Sequence, residues 1–202
     1  MALVTATEAR VHIPELSGTG EDTNLDTLIA RVEEACASWC GYPPASAGGT
    51  PTMASASRVR YLDGPGGREL VIDVWPVTAV ASIYDDPEWT WGASDLVSSG
   101  DYAILDGSVG LVLLTESAAH GSWSHARRAI KATVTAGFTS APPALKLAIC
   151  LGVRHLWNLR RELGHTSVSG EGTVSVSSVD PTMLPVECLQ ALAPYRLPRV
   201  LL

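Results

Sequence analysis

Between Arg68 and Arg127 the 202-residue sequence has no lysine and no arginine, yet nine Asp and Glu residues fall in the same interval. A stretch without cations cannot neutralise phosphates, so this middle segment is excluded as a grip for nucleic acid. The plainer reading of such a pattern is a solvated acidic surface. Also missing is any apolar run near the ~20 residues that a membrane-spanning helix needs. The best candidate, "LAICLGV" at 147–153, stops at Arg154. No membrane partner is expected. Glu8 and Arg10 stand where a secretory signal needs unbroken apolar residues, so the chain is expected to remain in the cytoplasm until something else moves it.

The common catalytic templates are absent as well. There is no phosphate loop of the Walker type, no dinucleotide-binding glycine pattern opening a helix after a strand, and no Gly-x-Ser-x-Gly elbow. His12, His120, His125, His155 and His165 do not pair with acids or cysteines at metal-ligand spacing. "HGSWSH" at 120–125 could share a metal ion between two imidazoles, but no third ligand is evident and a polar loop is the simpler reading. Cys36 and Cys40, four apart on a predicted helix, fall on its packing stripe. With Cys150 and Cys188 they read as small core residues rather than disulfides. The expectation is therefore a protein that is not an enzyme and carries no cofactor and no metal. A small metal-assisted hydrolase built on the "HGSWSH" loop is the alternative.

What is present describes a folded chain. An apolar share of 46% against 17% charged residues is enough for a core and too little charge for a disordered polymer. Residues 1–149 hold nine Lys and Arg against seventeen Asp and Glu, a net of −8, whereas residues 150–202 hold five against four, a net of +1. The C-terminal part is electrically different.

Along the chain, Thr5 or Thr7 caps a short helix ending near Pro14, and "SGTGEDTN" follows as a loop. From Asp22 or Thr23, apolar residues at Leu25, Leu28, Ile29, Val32, Cys36, Trp39 and Cys40 predict a longer helix, with Gly41 as its C-terminal cap. Residues 42–56 have Pro, Gly and Ser in place of a period and read as an extended connector. The alternation then changes to that of strands. A hairpin is expected from 57–63 and 69–75 around Gly-Pro-Gly-Gly at 64–67, then a strand in "VTAVASIYDD", a loop over 85–100, and a second hairpin across Asp106-Gly107. Trp89, Trp91 and Trp123 in this acidic region could anchor a partner or equally cover the edge of the sheet.

A last strand, "ARRAIKATVTAG", leads into "TAGFTSAPPALKLAI". There Pro142 and Pro143 preset a first helical turn, and Leu145, Ala148, Ile149, Gly152, Leu156, Leu159 and Leu163 trace an apolar stripe. Strand and helix so joined favour a scaffold over a mobile lid. The stripe is expected to pack on helix 22–40. Residues 165–181 form a loop too long for a mere connection. A short helix near Pro185 then stops at Pro194, before an apolar and basic tail.

This order of features, with "ASWCGY", "VIDVWPVTAVASIY", "GDYAI", "ATVTAGFTSAPPALKLAI" and "LPVECLQALAPYR", resembles the tailed-phage head-tail connector (adaptor) family over nearly the whole chain. None of these pieces is catalytic. The resemblance implies a structural protein forming a ring, typically dodecameric, below the portal and above the tail or stopper protein. Double-stranded DNA would pass through that ring without specific binding. It also implies an α+β fold, an α-helical bundle of two long helices and short terminal helices with a small antiparallel β lobe inserted. The expected divisions are residues 1–56 for the N-terminal helices and connector, 57–137 for the β lobe and 138–202 for the rest. The expected place is the virion neck, reached from the host cytoplasm, with a tail-completion or stopper protein as the alternative role.

Composition and position then suggest site residues within that role. The tail Pro194, Tyr195, Arg196, Leu197, Pro198, Arg199, Val200, Leu201 and Leu202 is expected to dock on the portal protein. The loop with His165, Ser169, Gly170, Gly172 and Val176 is expected to order on assembly. Asp85, Asp86 and Glu88 are candidate channel-lining acids, because a negative lining gives sliding DNA nothing to stick to.

Overall fold

A computed structural model describes residues 2–16, 18–162 and 184–197. It contains two compact units, one formed from the segments Met1–Tyr42 and Ser140–Arg196, the other built on Pro43–Thr139.

The first unit is helical. Helix α1 (Ala6–Val11) begins with a reciprocal cap in which the Thr5 hydroxyl accepts from the Glu8 N–H and the Glu8 carboxylate accepts from the Thr5 N–H. Helix α2 (Asp22–Cys40) ends at Gly41, whose φ of 83° is the left-handed conformation that costs glycine least. Helix α3 (Pro143–Glu162) opens on the two prolines, and α4 (Val186–Leu192) follows Pro185. On α3 the buried positions are Leu145, Ala148, Ile149, Cys150, Gly152, Val153 and Trp157, while Leu156 and Leu159 are only half-buried. Burying a side chain such as Leu145 or Ile149 contributes about 1.5–3 kcal/mol. Gly152 marks a close approach to α2: a Cβ there would stand 2.7 Å from Val32 Cγ1. Ion pairs join the helices at their rims, Lys146 Nζ to Glu8 Oε1 at 2.6 Å and Arg10 to Asp22.

The second unit is made of two antiparallel sheets. Strands β1 (Ala56–Leu62), β2 (Glu69–Val71), β3 (Val77–Asp85), β4 (Leu96–Val97), β5 (Tyr102–Asp106), β6 (Leu111–Leu114) and β7 (Ile130–Ala136) are ordered β1-β7-β3-β4 in one sheet and β2-β6-β5 in the other. Strand β7 is central and alternates strictly, with Ile130, Ala132, Val134 and Ala136 buried and the residues between them half-exposed. That is the period-two pattern of a sheet with one buried face. It pairs with β1 from Ala56↔Ala136 to Leu62↔Ile130.

This architecture corrects the expected fold. The helical bundle on two long helices with a small β lobe inserted is replaced by a unit of two antiparallel sheets that takes about half of the chain and a separate unit of few helices. Two physical reasons account for the difference. The stretch 43–56 carries no hydrophobic period, yet it belongs to the β unit. Met53 and Ala54 are buried, Ala54 bridges Phe138, and Arg58, 1% exposed, donates to the carbonyls of Thr52, Ala54 and Ala136. The hairpin expected from 57–63 and 69–75 does not form either, since β1 and β2 lie in different sheets. Gly64 turns the chain away: its N–H donates to Ala126 O, and the Ser124 carbonyl fills the space where a Cβ would be, 2.0 Å away. Arg60 on β1 reaches back to the residues after β2 through a two-point ion pair with Asp73.

Candidate functional site

Sequence "DDPEWTW" leaves β3 as a loop, and Asp86 organises it. Asp86 is 5% exposed. Its Oδ1 accepts from the Glu88 N–H at 2.7 Å, and its Oδ2 from the Thr90 N–H, the Thr90 hydroxyl and the Trp91 N–H. Its own N–H donates to Ala129 O. An aspartate bonding the backbone just ahead of it, followed by proline, is a turn-forming arrangement. Burial raises the Asp86 pKa, but the N–H donors of Trp91, Glu88 and Thr90 outweigh it and hold the carboxyl below the usual range.

The turn places two tryptophans in an unusual backbone. Trp89 has φ 63° and Trp91 φ 53°, and Arg128, just before β7, has φ 52°. Bulky residues in this region cost ~1–3 kcal/mol each and persist only where neighbours over-determine them. The neighbours are visible: Trp89 Nε1 donates to Arg127 O at 3.2 Å, and the Arg128 N–H donates to Asp63 Oδ1 at 2.7 Å.

Together Tyr61, Trp89, Trp91 and Arg128 line a cleft of about 330 Å³. The Tyr61 and Trp91 rings lie 5.7 Å apart, tilted by 55°. The Arg128 guanidinium sits 5.4 Å above the Tyr61 ring, and Lys131 Nζ stands 5.2 Å from Tyr84 and 5.8 Å from Trp91. Tyr61, Lys131, Tyr84 and Leu96 form one cross-strand row over β1, β7, β3 and β4. Leu96 is 45% exposed, Tyr61 44% and Trp89 58%.

The sequence grouped Trp123 with Trp89 and Trp91, but the structure separates it. Trp123 is buried, with its backbone N–H on Gly67 O and its indole N–H on Arg68 O. Tyr61, Arg128 and Lys131 were missed because β1 and the segment entering β7 lie far in sequence from the tryptophan loop. Only the Trp-x-Trp spacing after Asp-Pro pointed at this place. His120 and His125 are both exposed, and among the described residues no three of His, Cys, Asp and Glu come together as a metal site. The four cysteines are buried, and burial pushes the Cys40 thiol to about 12 and the Cys150 thiol to about 11.

The other sequence-derived positions are scattered. Asp85 is half-buried and accepts from the Ser124 N–H, and Glu88 is exposed. Of the tail, Pro194 to Leu197 are described: the Arg196 guanidinium lies 4.7 Å above the Trp39 ring, and Leu197 is buried. Pro198, Arg199, Val200, Leu201 and Leu202 lie outside the described residues, as do His165, Ser169, Gly170, Gly172 and Val176.

No protein-family model matches the chain, and no curated protein does. Among solved structures it is similar to a chain of the "Virion of native gene transfer agent (GTA) particle". The TM-score is 0.56 and the sequence identity 16%, over 98% of this chain and 92% of that one. At that identity the likeness is one of fold.

Proposed function

We propose that this chain is a structural protein of a phage-like virion, and within it the head-tail connector that forms a ring below the portal and extends the DNA channel. The observation that carries the reading is the end-to-end likeness to a virion chain, 98% of one and 92% of the other at a TM-score of 0.56. The sequence resemblance to connectors supports the finer role. On this reading the protein is not an enzyme. It moves from host cytoplasm to the virion neck, and its partners are further copies of itself, the portal, and a stopper or tail-completion protein.

The acids divide under this role. Glu88 is exposed and can face sliding DNA, whereas the carboxylate of Asp86 is occupied by its own loop. Cryo-electron microscopy of the particle neck, averaged with cyclic symmetry, tests the assignment. The expected map traces this chain into a ring against the portal with residues 194–202 on the portal surface. A ring lying lower would make it a stopper, and absence of the chain from the particle would end the structural reading.

A further inference from the structure

The aromatic cleft is a separate feature of the β unit. Its walls are held before any ligand arrives, because Asp86 ties down Glu88, Thr90 and Trp91 and the Arg127 carbonyl holds the Trp89 indole. A preformed site loses less conformational freedom on binding. Exposed Trp, Tyr and Arg are the residue types that dominate binding energy at protein interfaces. The charge narrows the ligand. Arg127 and Arg128 are the first cations after a run of 58 residues without one, and the Arg128 guanidinium and the Lys131 ammonium stand over rings of the cleft.

We propose that the cleft of Tyr61, Trp89, Trp91 and Arg128 is a docking site for an acidic segment of a partner protein. One apolar or aromatic side chain of that segment fills the cleft, and a neighbouring carboxylate meets Arg128 and Lys131. The volume of about 330 Å³ suits one large side chain. A long polyanion fits less well: Arg128 and Lys131 stand over the cleft rings, which suits one carboxylate and leaves a run of phosphates unneutralised. The proposal does not depend on the assembly role, and its test uses the isolated full chain.

That test follows the tryptophan indole N–H signals by NMR while acetyl-Asp-Leu-Phe-Asp-amide is added, with acetyl-Asn-Leu-Phe-Asn-amide and octathymidylate as comparisons. The expected result is saturable movement of the Trp89 and Trp91 signals with Trp123 unmoved. Affinity should be about tenfold weaker for the neutral peptide and for Arg128→Gln, and lost in Trp89→Ala. An unchanged Trp123 signal certifies the fold of each variant, and the comparison of the two peptides needs no variant. Stationary signals at millimolar peptide, or equal affinity for both peptides, would overturn the proposal. Tighter binding of octathymidylate would also overturn it, assigning the cleft to nucleic acid. Movement of the same signals with protein concentration alone would overturn it in favour of a second copy of the chain.

Discussion

The helical unit and the β unit solve the same packing problem with information from different distances. In the helical unit each element announces itself locally: the Thr5–Glu8 cap, the three-and-four spacing on α2, Gly41 at its end and the prolines before α3. In the β unit the decisive partners are remote. Strand β1 meets β7 some seventy residues later, and the cleft joins Tyr61 to Trp89, Trp91 and Arg128. Helical order is legible in short windows, whereas sheet order depends on which strand captures which edge.

The comparison can be broken most sharply at Trp123. Trp123→Ala should cost about 3–5 kcal/mol, because it removes the largest fully buried side chain of the β unit and an N–H donor to the Arg68 carbonyl, which keeps the Leu114 N–H. Urea unfolding of the variant checks this, and a loss below about 1 kcal/mol would mean that the β core does not rest on this residue.

A matched pair of glycine substitutions sharpens the contrast. Gly137→Ala forces a Cβ to within 2.5 Å of Ala54 O at φ 110°, so neither backbone nor neighbour can yield, and about 2–4 kcal/mol should be lost. Gly152→Ala meets a Val32 methyl at 2.7 Å, which a helix can accommodate by a small shift, and about 1–3 kcal/mol should be lost. Equal losses in urea titrations would erase the distinction between backbone-limited and side-chain-limited packing.

The smallest effect is electrostatic. The Lys146 ammonium bonded to Glu8, with the Thr5 N–H, lowers the Glu8 carboxyl from 4.5 to about 2. A depressed folded-state pKa gives stability that is complete above about 4.5 and fades as pH falls towards 2. With the Glu8 side chain 39% exposed, solvent screening limits the contribution to about 0.5 kcal/mol. Glu8→Gln should therefore flatten the acid limb of the stability curve slightly between those pH values and leave pH 7 stability within that amount.

The candidate cleft was only half legible. Trp89 and Trp91 could be noticed as an aromatic pair in an acidic loop, and Asp86 before Pro87 as a turn signal. That Asp86 would be buried and committed to its own loop, rather than displayed with Asp85 and Glu88, follows from the donors of residues 88–91 converging on it. Charge counted along the sequence could not separate a structural carboxylate from a displayed one.

By itself, the sequence determined where α2 and α3 begin, how α2 ends, which residues alternate in β7, and that the middle of the chain carries its acids unaccompanied by cations. Those properties depend on neighbours within a few residues. Tertiary structure alone decided that β1 leaves β2 for β7, that 43–56 joins the β unit through Arg58, and that Arg128 and Lys131 come to stand over the rings of Tyr61, Tyr84 and Trp91. A strand's pattern states which face is buried and leaves its partner open, because any complementary edge satisfies the same backbone hydrogen bonds.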